Sequence, residues 1–247
     1  MKSPLFIKKY LRNYKVTRYR PKIWILPWSN IAYAKITKVA SSSIEQALSL
    51  HIYQQLAHEN VANVEKKLIK EYSNQYSIHS RLKDLKGEQR PKFIFSFVRN
   101  PMDRLYSSYV NKIRDAKSSG AEKSIFWNHH MTLDMSFEDF IFRLLEIPDA
   151  KIDRHLRSQS SIICEDGTIL VDFVGRFENL RKDWKVIADE YDLPELAHAN
   201  KSSKTLSRSP YSYETATLVA DRFSQDINTF GYGKEVQQLM DSLKLSS

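Results

Sequence analysis

Two short stretches of this chain combine cations and hydroxyl groups at spacings that suit an anionic ligand. In the first, Lys38 and the serines Ser41–Ser43 lie between a predicted strand and a predicted helix. The start of a helix presents unpaired N–H groups and the positive end of its dipole, and a lysine adds a full charge. This pattern predicts a phosphate-type site, although an ordinary helix cap uses the same residue types.

The second stretch follows the most apolar segment of the chain. Residues 91–98 form a short, nearly continuous apolar run, which is typical of a strand buried on both faces of a sheet. Arg99 comes next, where ligands of open α/β sheets bind, beyond the carboxyl end of a strand. Asn100 and Pro101 predict the cap and the first residue of a helix that carries Ser107.

The first stretch is not a Walker A sequence. The pattern Gly-x-x-x-x-Gly-Lys-Ser/Thr is absent, and positions 37–43 contain no glycine. A nucleotide-dependent phosphotransferase on a similar fold therefore stays open only as an alternative, because a clear acidic magnesium ligand after a strand is also missing.

The rest of the chain alternates strand and helix patterns, which predicts an α/β fold. Besides 91–98, the predicted β segments are 22–27, 31–36 and a pair around the turn at 165–167, with 171–177 as its second member. The predicted helices are 43–50 with a continuation over 51–72, then 136–145, 178–191 and 211–223. Residues 117–134 resemble a polar surface insertion.

The composition indicates a folded protein with one main domain. Of the 247 residues, 42% are hydrophobic and 12% aromatic, which is enough to build a core. The lone cysteine, Cys164, excludes an internal disulfide and a cysteine-rich metal site. With no apolar signal segment at the N-terminus, we expect a cytoplasmic location, and we predict no metal.

The formal charge of +9 favours anionic partners, and it is unevenly distributed. Before Glu45 the chain has no acidic residue, whereas lysines and arginines crowd its beginning. We therefore divide the chain into a basic N-terminal arm, 1–24, and a single domain, 25–247. The arm is either a solvated segment or a peripheral contact with a membrane or an acidic glycan. Nucleic acid is not expected, because no RNA-recognition or helix-turn-helix pattern accompanies the charge.

Four motifs in order give the chain a family resemblance. They are Lys38-Val-Ala-Ser-Ser-Ser-Ile44, Phe97-Val-Arg-Asn-Pro-Met-Asp-Arg-Leu-Tyr-Ser-Ser-Tyr109, Asp172-Phe-Val-Gly-Arg-Phe-Glu-Asn-Leu180 and Asp226-Ile-Asn-Thr-Phe-Gly-Tyr232. With them the chain resembles the carbohydrate sulfotransferases that use 3′-phosphoadenosine 5′-phosphosulfate (PAPS). It is most similar to the branch of the Golgi chondroitin, HNK-1 and uronosyl 2-O-sulfotransferases. The similarity runs from about residue 30 to 233.

The resemblance implies a fold, a donor and an acceptor class. The expected fold is a three-layer, P-loop-like α/β fold with a central, mostly parallel sheet flanked by helices. The expected donor is PAPS and the product 3′-phosphoadenosine 5′-phosphate (PAP), with no metal. The expected acceptor is a hydroxyl of an oligosaccharide, glycolipid or polysaccharide.

The resemblance also assigns residues to the donor. Lys38 would bind near the bridging oxygen of the 5′-phosphosulfate and stabilise charge on the departing phosphate, and Arg99 and Ser107 would hold the 3′-phosphate. A basic loop at 201–204 would close over the nucleotide. The full set of implied donor contacts is Lys38, Ala40, Ser41, Ser42, Ser43, Arg99, Ser107, Lys201, Ser202, Ser203 and Lys204.

The resemblance offers two histidines for the catalytic base. His79 lies at about the position of the catalytic histidine of the uronosyl 2-O-sulfotransferases, and we predict that it is the base. His155 matches a family segment near the acceptor and is the second candidate. Histidine suits this role because its ordinary pKa is close to neutrality. Together with His155, Arg154 and Arg81 are predicted to contact the acceptor.

The sequence departs from the family pattern in two ways. Asn100 replaces the usual aspartate after the motif arginine, but asparagine caps a helix as well as aspartate does. The membrane anchor and the several cysteines of the Golgi members are not found, so we expect a soluble, bacterial-type member. A second alternative to the enzyme is a non-catalytic basic module that binds acidic glycan or membrane through residues 1–24.

Overall fold

The computed structural model describes residues 19–57, 61–197 and 210–245. A five-stranded sheet lies at its centre, and a two-stranded hairpin lies apart from it. In chain order the strands are β1 Lys22–Leu26, β2 Ile31–Ala34, β3 Ser77–His79, β4 Phe93–Val98, β5 Cys164–Glu165, β6 Thr168–Ile169 and β7 Phe173–Arg176. The central sheet has the order β3-β1-β2-β4-β7, and β5 pairs with β6.

The central sheet is mixed. Strand β1 runs antiparallel to both β2 and β3, whereas β2 pairs with β4, and β4 with β7, in parallel. Only residues 27–30 separate β1 from β2, and a connection this short joins antiparallel strands, whereas parallel neighbours need a longer crossover. The α/β class is thus confirmed, but the prediction of a mostly parallel sheet holds only for the β2-β4-β7 half.

Helices flank this sheet. They are α1 Ser41–Ala57, α2 Lys66–Gln75, α3 Pro101–Tyr109, α4 Asp115–Ser118, α5 Phe137–Leu145, α6 Ser160–Ile163, α7 Leu180–Tyr191, α8 Tyr213–Arg222, α9 Ser224–Thr229 and α10 Gly233–Lys244. A π-helical turn, Val110–Arg114, joins α3 to α4. Short 3-10 turns occupy Leu82–Asp84, Gly87–Gln89, Trp127–His129, Asp149–Lys151 and Phe177–Asn179. Within the described ranges, no helix is both long and apolar enough to cross a bilayer.

One predicted element was wrong in its extent and another in its pairing. The helix predicted to continue over 51–72 is divided, because α1 ends at Ala57 and α2 begins only at Lys66. The β segment at 171–177 is not the partner in the hairpin: Thr168–Ile169 pairs with Cys164–Glu165, while β7 joins the central sheet beside β4. An alternating pattern shows that a segment is a strand, but it does not show which strand it pairs with.

The N-terminal boundary also differs from the predicted arm. Lys22 to Trp24 belong to β1, and the side chains of Ile23 and Trp24 are fully buried, so the sheet includes the last part of the 1–24 segment. Residues 1–18 lie outside the described part of the chain, and the contact predicted for them stays a prediction.

The core forms where β4 meets its neighbours. All four residues of β2 are buried, as are five of the six in β4. Phe97 of β4 packs directly over Gly175 of β7: a Cβ placed on that glycine would come within 2.3 Å of the Phe97 ring. This close packing holds the carboxyl ends of β4 and β7 side by side, and the loops that follow β2 and β4 carry the candidate site.

Candidate functional site

The loop after β2 has an unusual backbone. Lys38 and Ala40 have φ angles of 68° and 62°, in the left-handed region that residues with a Cβ rarely adopt. Such conformations concentrate at ligand-binding sites, where the surrounding structure enforces them. The following helix begins at Ser41 and not at Ser43, so the three serines form its first turn and are not caps before it.

This first helical turn leaves two backbone N–H groups available to a ligand. The hydrogen bonds of the turn start with Ser43, whose N–H donates to the Ala40 carbonyl at 3.0 Å, and Ile44 donates to the same oxygen at 3.1 Å. The N–H groups of Ser41 and Ser42 have no acceptor among the described residues, as expected at a helix start. The side chain of Ser42 is exposed, and the turn can therefore receive an anion from solvent.

Below the loop lies a buried arginine that the sequence analysis did not single out. Arg104 of α3 is only 2% exposed. Its Nε donates to the Thr37 carbonyl at 3.0 Å, its Nη1 to the Arg157 carbonyl at 2.8 Å and its Nη2 to the Arg154 carbonyl at 3.4 Å. One guanidinium therefore ties the Lys38 loop to the segment that contains His155.

Arg99 follows β4 directly and is held by its backbone. Gln159 accepts a hydrogen bond from the Arg99 N–H at 2.9 Å and donates one to the Arg99 carbonyl at 2.8 Å. The guanidinium lies 4.3 Å from the ring centre of Phe177, and its Nη1 donates to the Lys38 carbonyl at 3.4 Å. The Nε of Arg99 is buried and has no partner in the described chain. A buried, unpaired guanidinium donor is what an anion site requires.

Two carboxylates, those of Asp226 and Glu178, bind residues that hold or follow Arg99. Asp226 is fully buried and accepts hydrogen bonds from the N–H groups of Gln159 and Ser160, both at 2.7 Å. Burial raises the pKa of Asp226, although the hydrogen bonds from Ser160 and Gln159 act to lower it. Glu178 accepts from the Asn100 N–H at 2.7 Å and from the Tyr232 hydroxyl at 2.9 Å. The third and fourth sequence motifs thus build the scaffold of Arg99.

The helix after Arg99 begins as the sequence predicts. The Asn100 side chain accepts a hydrogen bond from the Met102 N–H at 2.9 Å, and Pro101 is the first helical residue. Ser107 lies two turns later, is half-buried and makes no side-chain hydrogen bond within the described residues. The described contacts do not join Ser107 to Arg99, and its predicted role toward the 3′-phosphate stays a prediction.

The site carries an excess of positive charge. Burial, with the nearby charges of Lys112 and Arg99, lowers the pKa of Lys38 to about 8, and Asp115 only partly opposes this. The Lys38 ammonium has no ion pair among the described residues. Cations brought together without a carboxylate partner repel one another, and an anion bound between them would relieve the repulsion.

His155 is prepared to accept a proton. Its Nδ1 lies 2.6 Å from Asp153 Oδ1, and its ring packs 6.1 Å from the ring centre of Phe126. Burial lowers the pKa of His155 although Asp153 acts to raise it. Burial acts to raise the pKa of Asp153, but the hydrogen bonds from His155 outweigh it and lower that pKa. The lowered pKa of His155 and the lowered pKa of Asp153 both fit a neutral imidazole beside an ionised carboxylate. The Nδ1–H of His155 then donates to Asp153, which leaves Nε2 as the acceptor.

His79 is placed differently. It ends the edge strand β3, its side chain is exposed, and its Nδ1 lies 3.3 Å from the Arg20 carbonyl. It pairs with Lys22, at the same end of the sheet as the Lys38 loop. However, β1 separates β3 from β2, a span of about 10 Å for two strand spacings. The described contacts do not bring His79 to Lys38 or Arg99.

The remaining predicted residues divide into three groups. Arg81 donates to both carboxylate oxygens of Asp84, at 2.8 and 2.6 Å, and so is engaged in a local ion pair. Arg154 is exposed beside His155, and its carbonyl accepts from Arg104 and from Thr37. Lys201, Ser202, Ser203 and Lys204 lie outside the described residues.

A cavity of about 450 Å³ lies elsewhere on the surface. It is lined by Thr132, Asp134, Met135, Asp139, Phe142, Arg143 and Glu146. Three of these side chains are carboxylates, which would repel a polyanionic nucleotide. The cationic surface around Lys38 and Arg99 is therefore the candidate site, and the cavity is not.

Comparison with known proteins shows the family of the chain. Residues 21–238 match the model of the sulfotransferase family. The chain belongs to this family. It is also 25% identical, over 228 residues, to carbohydrate sulfotransferase 14 of Danio rerio. That alignment covers 81% of the chain and 59% of the relative, so the chain matches well under two thirds of that protein's length. No solved structure matches the chain. The family resemblance seen in the four motifs is thereby confirmed.

We predict that this sulfotransferase loses stability when Arg104 is truncated. Arg104→Ala removes a charged donor from three backbone carbonyls, and we expect the free energy of unfolding to fall by about 3 kcal/mol or more, since each hydrogen bond to a charged group contributes about 1.5–3 kcal/mol. Urea denaturation, monitored by fluorescence, measures this free energy of unfolding. Arg181→Ala, at an exposed position on α7, is the control and should change the value by about 0.5 kcal/mol or less. Equal effects of the two variants would contradict the role of Arg104.

Proposed function

We propose that this chain transfers a sulfuryl group from PAPS to a hydroxyl of a carbohydrate acceptor. The observation that carries the proposal is the pair of cations beyond the carboxyl ends of β2 and β4. Lys38 is half-buried and Arg99 is buried, in adjacent loops, and neither has a hydrogen-bonded carboxylate among the described residues. Such a site fits a ligand with two separated anionic groups, and PAPS carries a 5′-phosphosulfate and a 3′-phosphate.

The two anionic groups have distinct candidate partners. The 5′-phosphosulfate would be bound by Lys38 and by the free N–H groups of Ser41 and Ser42 at the start of α1. The 3′-phosphate would be bound by Arg99, through its unpaired Nε, and by the free hydroxyl of Ser107. The expectation of a P-loop-like architecture belongs to this proposal, since the strand-loop-helix at Lys38 is its supporting feature.

The proposed reaction is an in-line displacement at sulfur. The acceptor oxygen forms a bond to sulfur while the bond between sulfur and the bridging oxygen of PAPS breaks. The electron pair of the broken bond stays on the 5′-phosphate, which leaves as PAP, and the hydroxyl proton passes to a base. Lys38 stabilises the charge that grows on the departing phosphate, because it is already placed and partly desolvated.

Two histidines remain candidates for the base, and the contacts favour His155. Its Nε2 is the free acceptor of an imidazole whose other nitrogen is bound to Asp153. Its segment is joined to the Lys38 loop through Thr37, which donates to the Arg154 carbonyl at 3.1 Å. His79, predicted as the base by resemblance, is exposed on an edge strand. We therefore place His155 first and retain His79 as the alternative.

The acceptor class rests on the relative. Danio rerio carbohydrate sulfotransferase 14 is named for a carbohydrate acceptor, and the exposed Arg154 beside His155 is available to contact one. The ion pair of Arg81 with Asp84 gives less support to a role for Arg81 in acceptor binding. The cytoplasmic location expected from the sequence stays a prediction.

The first test of this function is calorimetric titration with PAP. We expect the wild-type protein to bind PAP and to bind ATP far more weakly, since ATP has no 3′-phosphate. Arg99→Ala should weaken PAP binding by about 100-fold, because it removes a charge-assisted contact and leaves the phosphate unpaired. Arg90→Ala is the control: Arg90 forms an exposed pair with Asp172 before β4, at the other end of that strand, and its loss should leave binding unchanged.

The outcomes of this titration separate the proposed classes of protein. A wild-type protein that ignores PAP would refute the sulfotransferase proposal and favour the basic binding module. Tight ATP binding with magnesium-dependent turnover would instead favour the phosphotransferase.

The pH dependence of PAP binding tests Lys38. An ammonium with a pKa of about 8 loses its charge as the pH rises through that value, so PAP affinity should fall above pH 8. The phosphates do not obscure this, because their second ionisation, with a pKa of about 6, is complete by pH 7.5. Because an arginine keeps its charge over this range, Lys38→Arg should reduce the fall in PAP affinity between pH 7.5 and 9.5. An unchanged decline in this variant would assign the titration to another group.

Paired substitutions decide between the two histidines. His155→Ala should lower the rate of sulfuryl transfer from PAPS by about 100-fold or more, with PAP affinity within about twofold of wild type. His79→Ala should leave the rate within about threefold. Because the pKa of His155 is lowered, wild-type activity should fall on acidification only below pH 6.5. A panel of unsulfated polysaccharides and oligosaccharides serves as acceptor. The reverse ranking of the two variants would identify His79 as the base.

A further inference from the structure

One face of α3 makes successive contacts with the segment 153–157. Arg104 donates to the carbonyls of Arg154 and Arg157. Ser108, four residues later, donates to the His155 carbonyl at 3.0 Å. Residues four apart lie close to one face of a helix, and Lys112 follows Ser108 by four residues, in the turn after the end of α3. Arg104 and Ser108 therefore follow the His155 segment, and Lys112 is the next residue on this side of the helix.

Lys112 lies in the π-helical turn Val110–Arg114. A π turn holds one more residue than an α-helical turn, changes the direction of the side chains beyond it, and occurs often at functional sites. The fully buried Ile113 fixes the position of this turn in the core. Lys112 itself is half-exposed, and its ammonium makes no hydrogen bond or ion pair within the described residues.

The charge of Lys112 acts on both reacting sides of the site. After burial, it is the largest influence that lowers the pKa of Lys38. It also contributes, with Arg154, to the lowered pKa of His155. Coulomb interactions fall off with distance, so these influences agree with the geometry, in which Lys112 follows by one turn the residue, Ser108, that contacts the His155 carbonyl. The other charges that act on His155 are Asp153 and Arg154, and those that act on Lys38 are Arg99, Arg104 and Asp115.

We propose that the Lys112 ammonium binds the sulfuryl group of the bound donor, as a substrate contact in addition to Lys38. This inference rests on the proposed function. Lys38 and Arg99 lie on the nucleotide side and His155 on the acceptor side, and the group between a departing phosphate and an attacking hydroxyl is the sulfuryl group. Lys112 keeps its contact with the sulfuryl oxygens while the sulfur–oxygen bond to PAP breaks and the bond to the acceptor forms.

The proposal predicts a difference between two ligands that share every group except the sulfuryl group. PAPS and PAP are titrated separately into the wild-type protein, Lys112→Ala, Lys112→Arg and the control Lys117→Ala, which removes an exposed lysine of α4. Lys112→Ala should weaken PAPS binding by about 10-fold and change PAP binding by less than about twofold. Lys112→Arg should restore PAPS affinity to within about threefold, and Lys117→Ala should match wild type for both ligands.

The titrations distinguish failure of this inference from failure of the function. Equal weakening of PAPS and PAP in Lys112→Ala, or no weakening of either, overturns the contact with the sulfuryl group while the donor site stands. A wild-type protein that binds neither ligand overturns the proposed function and this inference with it. A selective loss for PAPS, restored by arginine, supports the assignment and excludes a purely structural role, which would affect both ligands.

Discussion

The site depends on the guanidinium of Arg104. It is buried at the junction of three segments and donates to carbonyls of Thr37, Arg154 and Arg157. A charge in such a position is costly to desolvate, and it is tolerated because its donors are paired and because Asp226 and Asp149 act on it from nearby. The loop with Lys38 and the segment with His155 are joined besides by the hydrogen bond from the Thr37 hydroxyl to the Arg154 carbonyl.

Around this support lie two cations without a direct ion pair among the described residues, although Asp115 acts on Lys38, and Asp103 and Glu178 act on Arg99. The pKa values of Lys38 and Arg99 are both lowered, mainly by burial, and neither side chain has a hydrogen-bonded carboxylate among the described residues. The structure uses its nearby buried acid differently: Asp226 binds N–H groups of Gln159 and Ser160, and Gln159 in turn holds the backbone of Arg99. Asp226 thus helps to position Arg99 without occupying the place proposed for the nucleotide.

The two histidines show where a sequence reading of a site is weakest. The family resemblance singles out both His79 and His155, and the residues next to them in the sequence do not show which one is enclosed by the protein. The difference arises from contacts, because Asp153 and Phe126 enclose His155 whereas His79 ends an exposed edge strand. Arg104 and Gln159 were missed for the same reason. Arg104 lies inside the second motif and Gln159 lies close to His155. The importance of both comes from hydrogen bonds to the backbone of distant parts of the chain.

The sequence by itself determined the features that depend on local chemistry: the buried strand at Phe93–Val98, the Asn100 cap with Pro101, the strand-loop-helix around Lys38, and the family. Capping, burial patterns and motif spacing act over a few residues and can be read directly. Only the tertiary structure decided the mixed strand order, the division of the helix predicted over 51–72 and the contacts of each side chain. These depend on contacts between residues far apart in the chain, such as Thr37 with Arg154, and on the burial that follows from them.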